Sequence, residues 1–336
     1  MDPVKLLVAI VNYRTPALAV EAVAAIADEV RARGDTHVAV VDNASGDGSP
    51  ALIGAAIAER GFGDWCTLIP LEVNGGFAAG NNAAVRWHQA QTGALPELVW
   101  LLNPDTRAHP GAIGALVDFV TAHPRVGICG SRCLWEDGKI WASAFRFHSP
   151  RSELNDALQF GPITRLLGNV EIALPPSDEP SRVDWVSGTS FMITRALIER
   201  VGLMDDGYFL YFEETDYCAR AEAAGFETWT VPASRVTHIG GQSTGVTGTA
   251  RAQKRRPRYW FFSRGRFFVH RYGVGATHLA NFLWLAGRPL GRLIARLRGR
   301  PTDDPPRLWR DFLAAYYGPN GLMYAPRALI AERPAV

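Results

Sequence analysis

An α/β fold built on a mainly parallel, doubly wound sheet flanked by helices is expected from three features of this sequence. Apolar runs of strand length alternate with segments of helical period through the first half, the runs end in polar or glycine-rich residues, and no run of about 18 to 20 apolar residues interrupts the order. "LLVAIV", Leu6 to Val11, is the first buried strand, and small and apolar residues from Ala17 to Val30 recur at helical spacing. A second strand follows at Val38 to Val41, then a helix in "SPALIGAAIAER", a third strand in "CTLIPL" and a helix in "FAAGNNAAVRWHQA". "ELVWLL" gives a fourth strand, "PGAIGALVDFVTAH" a helix with proline at its start, and "VGICGS" a fifth strand. Crossover helices between successive strands make such a sheet parallel.

The regularity breaks after Ser131. "EDGKIWASAFRFHS" reads as a hairpin or bent strand pair, and the Pro-rich "NDALQFGPITRLLGNVEIALPPSDEPSR" predicts a long mobile loop. Order returns with "VDWVSGTSFMITRALIERVG", a strand and a helix, then a turn and helix in "DDGYFLYFEETDYCARAEAAG" and a strand leading to a glycine turn in "FETWTVPASRVTHIGG". The last eighty or so residues change character, with three aromatic- and Arg-rich amphipathic helices. This divides the chain into a main domain over 1–250, split near residue 131, and a basic, aromatic-rich helical extension over 251–336.

Composition narrows the function classes. Lys+Arg 35 against Asp+Glu 33 gives a formal charge of +2, which argues against nucleic acid as the main partner, although Arg251 to Arg300 contains many arginines and no acid. Cys66, Cys129, Cys133 and Cys218 form no C-x-x-C pair and read as buried reduced thiols. "MDPVKLLVAIVNY" runs straight into a turn as a first strand would, so a cytoplasmic protein is expected. Neither a G-x-G-x-x-G fingerprint nor a G-x₄-G-K-[ST] loop is present.

In doubly wound sheets ligands sit beyond the C-terminal strand ends, here "NYRT", "DNAS", "NGGF" and "NPDT". Asp42 can accept the imide N–H of a uracil or thymine ring, or simply make an Asx-turn, and taken alone the turn is the stronger reading. Gly75 and Gly76 before a helix allow close backbone approach, and the helix amides favour negative charge. Asn81 and Asn82 sit unexplained in a helix of small residues. Further along, Glu213, Glu214 and Asp216 share one helical turn behind "YFLYF". Such acids can complement a helix dipole, or one can act as general base with its pKa raised by aromatic and acidic neighbours.

"VAIVNYRTPA", "VVDNASGDGS", "NGGFAAGNN", "LLNPDT", "WVSGTSFMITR", "YFEETDYCARAEAAGF" and "VTHIGGQST", in this order, resemble the family 2 glycosyltransferases, inverting enzymes of GT-A fold, and within them the rhamnosyltransferase-like branch. The resemblance covers roughly Lys5 to Gly245. It implies a Rossmann-like GT-A sheet, a nucleotide-sugar donor (dTDP-rhamnose first, a UDP-sugar as the alternative), a saccharide or lipid-linked acceptor in cell-surface polysaccharide synthesis, and Mg²⁺ or Mn²⁺. By position it implies donor contacts from Asn12, Tyr13, Asp42, Asn74, Gly75, Gly76, Phe77, Asn81 and Asn103. Asp105 becomes the carboxylate ligand of a D-x-D element whose first acid is replaced by Asn103, with His238 of "THIGG" as a further metal ligand. Glu214 takes the place of the usual base aspartate, with Asp216 sharing the role and Glu213 beside it. Trp185 and Gly188 would line the acceptor pocket, and Arg264 would contact donor diphosphate or a lipid phosphate. The basic helices would suit peripheral contact at the inner membrane face or a homodimer. The reduced D-x-D and the Glu-for-Asp exchange also admit an inactive nucleotide-sugar-binding or membrane-surface protein.

Overall fold

A computed structural model describes residues 5–239, 254–301, 304–324 and 329. The first half alternates as β1 (Leu6–Asn12), α1 (Pro16–Arg33), β2 (Thr36–Asp42), α2 (Ser49–Glu59), β3 (Cys66–Pro70), α3 (Phe77–Thr92), β4 (Leu98–Leu102), β5 (Thr106–Ala108), α4 (Ala112–Ala122) and β6 (Val126–Leu134). There follow β7 (Ile140–Trp141), β8 (Ala144–Phe145), α5 (Pro150–Leu158), α6 (Gly161–Leu167), β9 (Ser181–Val183), β10 (Trp185–Val186), β11 (Ser190–Thr194), α7 (Arg195–Val201), α8 (Glu213–Ala223), β12 (Glu227–His238), α9 (Arg258–Leu297) and α10 (Leu308–Tyr317).

The main sheet runs β3-β2-β1-β4-β11-β6-β12-β5. β1, β2, β3 and β4 pair in parallel, as do β6 and β12, whereas β11 lies antiparallel between β4 and β6. The continuous apolar run of β1 has its reason here: Leu7, Ala9 and Val11 pack on one face of the sheet, and Leu6, Val8 and Ile10 pack on the other against α1. All four cysteines are free and buried in this fold.

One difference from the sequence reading follows from tertiary contacts. The expected mobile loop instead begins with α5 and α6. Ser149 and Ser152 cap α5 reciprocally, with the Ser152 N–H on Ser149 Oγ at 3.2 Å and the Ser149 N–H on Ser152 Oγ at 2.8 Å. α9 then approaches so closely that a Cβ at Gly291 would lie 2.3 Å from the Ala157 carbonyl oxygen. A helix fixed by glycines some 130 residues away leaves little local signal. The extension, in turn, is two helices under one label, since Gly273 (φ 80°, ψ 170°) breaks α9 where the sequence suggested a boundary. Phe261, Val269, Trp284, Phe312 and Tyr316 give the extension a core of its own, which takes in Ala157 of α5.

Candidate active site

The C-terminal ends of β1, β2 and β4, the loop before α3 and the segment before α8 meet around a cleft of about 240 Å³. Tyr13, Asn74, Gly76, Phe77 and Asn103 line it among the expected donor residues. Asn43, Phe209, Leu210 and Tyr259 line it as well, and sequence reasoning had not singled them out. Asn43 stood beside Asp42 in "VVDNAS"; its role shows only in the folded chain, where its amide donates to the Gly76 carbonyl (2.9 Å) and its Oδ1 accepts from the Gly75 N–H (3.3 Å).

The glycine loop is shaped by protein contacts. Gly76 sits at φ 92°, and a Cβ there would lie 1.9 Å from the Phe209 carbonyl oxygen, which accepts the Phe77 N–H at 3.0 Å. The close approach expected for a ligand is therefore made by the segment before α8. Asn81, expected as a donor contact, turns its amide back onto the Phe77 carbonyl (2.9 Å) and is buried outside the cleft lining. Asn82 bridges to the Met204 carbonyl (2.7 Å) and to Asp206, tying α3 to the turn before the aromatic segment. Both asparagines thus have structural work that the sequence left unexplained.

Asn12 and Asp42 lie beneath the cleft. Asp42 Oδ1 accepts from Asn12 Nδ2 (2.7 Å) and Ser45 Oγ (2.6 Å), and Oδ2 accepts from the Ser45 N–H (3.1 Å). The turn role is satisfied, and Oδ2 keeps one lone pair that none of these neighbours uses.

Asp105 and His238 are brought together by strand pairing. β5 lies antiparallel to β12 with Thr106 opposite His238, and the Ile239 N–H donates to the Asp105 carbonyl at 2.9 Å. His238 Nε2 then stands 3.3 Å from Asp105 Oδ2, with both side chains buried and the imidazole stacked on Trp141 at 4.5 Å. Among the described residues three buried polar atoms here find no partner: Asn103 Oδ1, Asp105 Oδ1 and His238 Nδ1. Leaving such atoms unpaired costs on the order of 1–3 kcal/mol each, a cost that a bound ligand would offset. Carboxylate and amide oxygens with one imidazole suit Mn²⁺ or Mg²⁺. Among the described residues no group of three or more His, Cys, Asp or Glu forms a complete cage, so the remaining ligands would be phosphate oxygens and water. The glycine turn after His238, Gly240 and Gly241, lies outside the described residues.

The acids of α8 part company. Tyr211 (φ 70°) and Phe212 (φ 68°) both occupy the left-handed region, an arrangement that costs bulky residues on the order of 1–3 kcal/mol each and is concentrated at functional sites. They turn the chain so that Glu213 and Glu214 open the helix. Burial pushes the Glu214 carboxyl up, opposed by its own amide and those of Gly188 and Thr215. Burial and the neighbouring Glu214 push Glu213 higher, with only its own amide in opposition. Both carboxyls are therefore raised, and three backbone amides favour the charged form of Glu214 against one for Glu213. A Cβ on Gly188 would lie 3.4 Å from Glu214 Oε1 and 3.6 Å from Phe77 Cε1, so Gly188 keeps the space between the carboxylate and the cleft wall. Trp185 stacks one face on Phe145 at 4.1 Å and donates its indole N–H to the Arg146 carbonyl (2.8 Å), remaining half-buried.

Two expected residues are engaged elsewhere, against the roles the resemblance implies. Asp216 is held by Arg220 (2.9 Å) and the Tyr208 hydroxyl (3.1 Å), and although burial works the other way, hydrogen bonds and charge from His270 and Arg220 keep its pKa low, which is unfavourable for a base. Arg264 is buried, paired with Glu153 at 2.8 Å, bonded to Asn281 (2.7 Å), and set over Phe268 at 4.5 Å, outside the cleft lining.

A family model described as glycosyltransferase like family 2 matches residues 3–260. An N-acetylglucosaminyl-diphospho-decaprenol L-rhamnosyltransferase of Mycobacterium tuberculosis is 30% identical over 218 residues, 62% of this chain and 68% of the relative. The rhamnosyltransferase WbbL of Escherichia coli is 26% identical over 168 residues, 48% of this chain and 60% of its own. Among solved structures, the mannosyltransferase PcManGT of Pyrobaculum calidifontis, solved with GDP-Man and Mn²⁺, aligns with TM-score 0.53 at 18% identity over 97% of this chain and 85% of its own. GalNAc-T7 with UDP, GalNAc and Mn²⁺ aligns with TM-score 0.57 at 13% identity, over 93% and 54% respectively. These last two likenesses bear on the fold, which is of GT-A type.

Proposed function

Since the chain belongs to the family 2-like glycosyltransferases, we propose that it moves a sugar, rhamnose from a dTDP-linked donor in first place and a UDP-linked sugar as the alternative, onto a saccharide or lipid-linked saccharide with inversion at the anomeric carbon. The observation that carries this reading is the convergence on one cleft wall: Phe77 lines the cleft and stands beside Gly188 and Glu214, while Asn103 lines it next to the orphaned Asp105 and His238 pair. One end offers a base and the other holds a leaving group.

In this mechanism the Glu214 carboxylate takes the proton from an acceptor hydroxyl as its oxygen attacks the anomeric carbon. The bond to the diphosphate oxygen breaks on the opposite face, its electron pair leaves with the nucleoside diphosphate, and one displacement inverts configuration. Asp105 and His238 would hold the metal, with Asn103 Oδ1 beside them, and the ion when bound neutralises charge on the leaving diphosphate. Tyr13, Asn74 and the braced loop around Gly76 form the nucleotide's side of the cleft, and the spare lone pair of Asp42 Oδ2 fits a base imide once the loop admits it. Trp185 and Gly188 face the acceptor side. Rhamnose is favoured by the names of both sequence relatives, and a diphosphate-linked acceptor by that of the Mycobacterium tuberculosis one.

Among the described residues no helix is long and apolar enough to cross a membrane. α9 nevertheless exposes Leu279, Phe282, Leu290, Leu293 and Leu297 along one helical stripe, with Arg296 in its last turn and Arg298 and Arg300 just beyond its end. Apolar and cationic side chains so arranged suit the surface of an anionic bilayer. Salt-sensitive flotation with anionic vesicles, lost in Leu293→Asp/Leu297→Asp, is expected; a concentration-dependent dimer abolished by the same changes would assign the stripe to self-association instead.

The function itself is tested with a panel of dTDP- and UDP-sugars, with Mg²⁺ or Mn²⁺, read as protection against thermal unfolding and as transfer to a lipid-linked saccharide. Absence of binding by every nucleotide sugar with either metal would sink the reading.

A further inference from the structure

We infer that a second cavity, at the start of α9, binds the diphosphate of a diphosphate-linked acceptor, with Arg256 as its main ligand and Arg258 at its rim. The inference rests on the transferase reading above and deepens it, giving the acceptor an anchor outside the donor cleft.

The cavity measures about 630 Å³, and its wall carries three guanidinium groups, Arg255, Arg256 and Arg258, against a single acid, Asp311. That acid is already taken. Arg255 holds it in a fork, Nε at 2.6 Å and Nη2 at 2.7 Å. Arg256 and Arg258 make no hydrogen bond or ion pair among the described residues; Arg256 rests over the Trp260 ring at 5.4 Å. Arg258 is exposed, but Arg256 is half-buried; desolvation lowers its pKa, opposed by the charges of Tyr211 and Asp156. A partly desolvated guanidinium with no hydrogen-bond acceptor among the described residues is a cost that an anion would offset, and its planar fork matches phosphate oxygens. The opposite wall is apolar, with Phe261, Ala314, Ala315 and Pro319, and suits the first carbons of a lipid.

Position selects the acceptor. Tyr259, adjacent to Arg258, lines the donor cleft and stacks on Tyr211 at 6.1 Å; Tyr211 in turn leads through Phe212 into Glu213 and Glu214. The start of α9 therefore borders both the cavity, through Arg258, and the cleft, through Tyr259. The donor's diphosphate belongs at the other end of the cleft, beside Asp105 and His238. Arg264, which the sequence suggested for phosphate, is closed off by Glu153, and Arg256 is the arginine left open.

The test uses the full chain and farnesyl diphosphate as probe, with EDTA present so that a metal-bridged site does not contribute. Wild type is expected to bind it, inorganic pyrophosphate to compete, and farnesol to leave it in place. Arg256→Gln should weaken binding about tenfold or more, with partial recovery in Arg256→Lys and a smaller loss in Arg258→Ala. Affinity for dTDP or UDP with Mn²⁺ should be unchanged in every variant, which also shows that the variants are folded. In transfer assays Arg256→Gln should raise KM for a sugar-diphospho-lipid and leave KM for the alkyl glycoside of the same sugar alone. Equal binding of farnesyl diphosphate by wild type and Arg256→Gln overturns the inference, as does no binding by wild type. A parallel loss of nucleotide affinity also overturns it, since the arginine would then serve the donor. Arg256-dependent binding in a protein that transfers no sugar would leave the site standing and defeat the function proposed above; transfer with a KM indifferent to Arg256 would do the reverse.

Discussion

Replacing Glu214 by glutamine removes a base while keeping nearly everything else. The amide oxygen of glutamine can still accept from the Gly188 and Thr215 N–H groups that oppose the carboxyl's raised pKa, and the side-chain volume beside Gly188 and Phe77 is retained. The thermal midpoint should therefore move little. General-base assistance contributes roughly 10²–10⁴-fold, about 3–5 kcal/mol of barrier, and kcat should fall by that factor with donor affinity within about twofold to threefold. The wild-type pH profile carries the sign. A base whose pKa is raised by burial is active above that value, so kcat/KM should fall on acidification through an apparent pKa above the ordinary glutamate value of about 4.3. That acid limb should be absent from the residual activity of Glu214→Gln. Glu213→Gln removes the carboxyl whose charged form only one backbone amide favours, and should cost only a few-fold. The assay is radiolabelled transfer under single-turnover conditions, with donor binding measured separately. Retention of more than about a tenth of wild-type kcat in Glu214→Gln would refute the assignment, and loss confined to Glu213→Gln would move the base one residue back.

The remaining expectations are compact. Asp105→Ala, and separately His238→Ala, should weaken Mn²⁺-dependent nucleotide-sugar binding by at least about tenfold, to the level EDTA produces in wild type; calorimetry showing metal-independent wild-type binding would contradict this. Gly76→Ala combines a left-handed backbone, worth roughly 1–3 kcal/mol, with a methyl 1.9 Å from the Phe209 carbonyl oxygen. A lowered midpoint and lost donor binding together are expected, and an unchanged midpoint would mean the two segments do not meet. His148 is held neutral, its pKa pushed down to about 4 by burial and by the charge of Arg264. As pH falls below about 6.5 the unfolded chain takes up this proton first, so stability should drop by up to about 3 kcal/mol by pH 4; urea midpoints of wild type and His148→Gln at pH 7.5 and 4.5 should differ in slope, and parallel shifts would contradict the assignment.

Much of the frame was legible because it depends on local period and chain order. The runs at Leu6 and Val38 mark strands buried on both faces, and the helices between them oblige those strands to be parallel. The antiparallel insertion of β11 between β4 and β6 was not legible, since an apolar strand reads the same in either direction. Helix α5 escaped notice because its order comes from Gly287 and Gly291 of α9, far along the chain. Asp216 looked like Glu214 from the sequence; Arg220, one helical turn on, was in plain view, whereas Tyr208 and His270 reach it only after folding.

By itself the sequence determined the order of strands and helices, the polar strand ends where a ligand gathers, and the residue types able to hold a nucleotide, a metal and a proton. These are properties of pattern and side-chain chemistry, which survive without coordinates. Tertiary structure alone decided which acid is free and which is tied, that Asp105 meets His238 through the pairing of β5 with β12, and that Arg264 is closed while Arg256 stands open. The physical reason is that a carboxylate's proton affinity and an arginine's availability depend on desolvation and on partners distant in sequence, and folding supplies both.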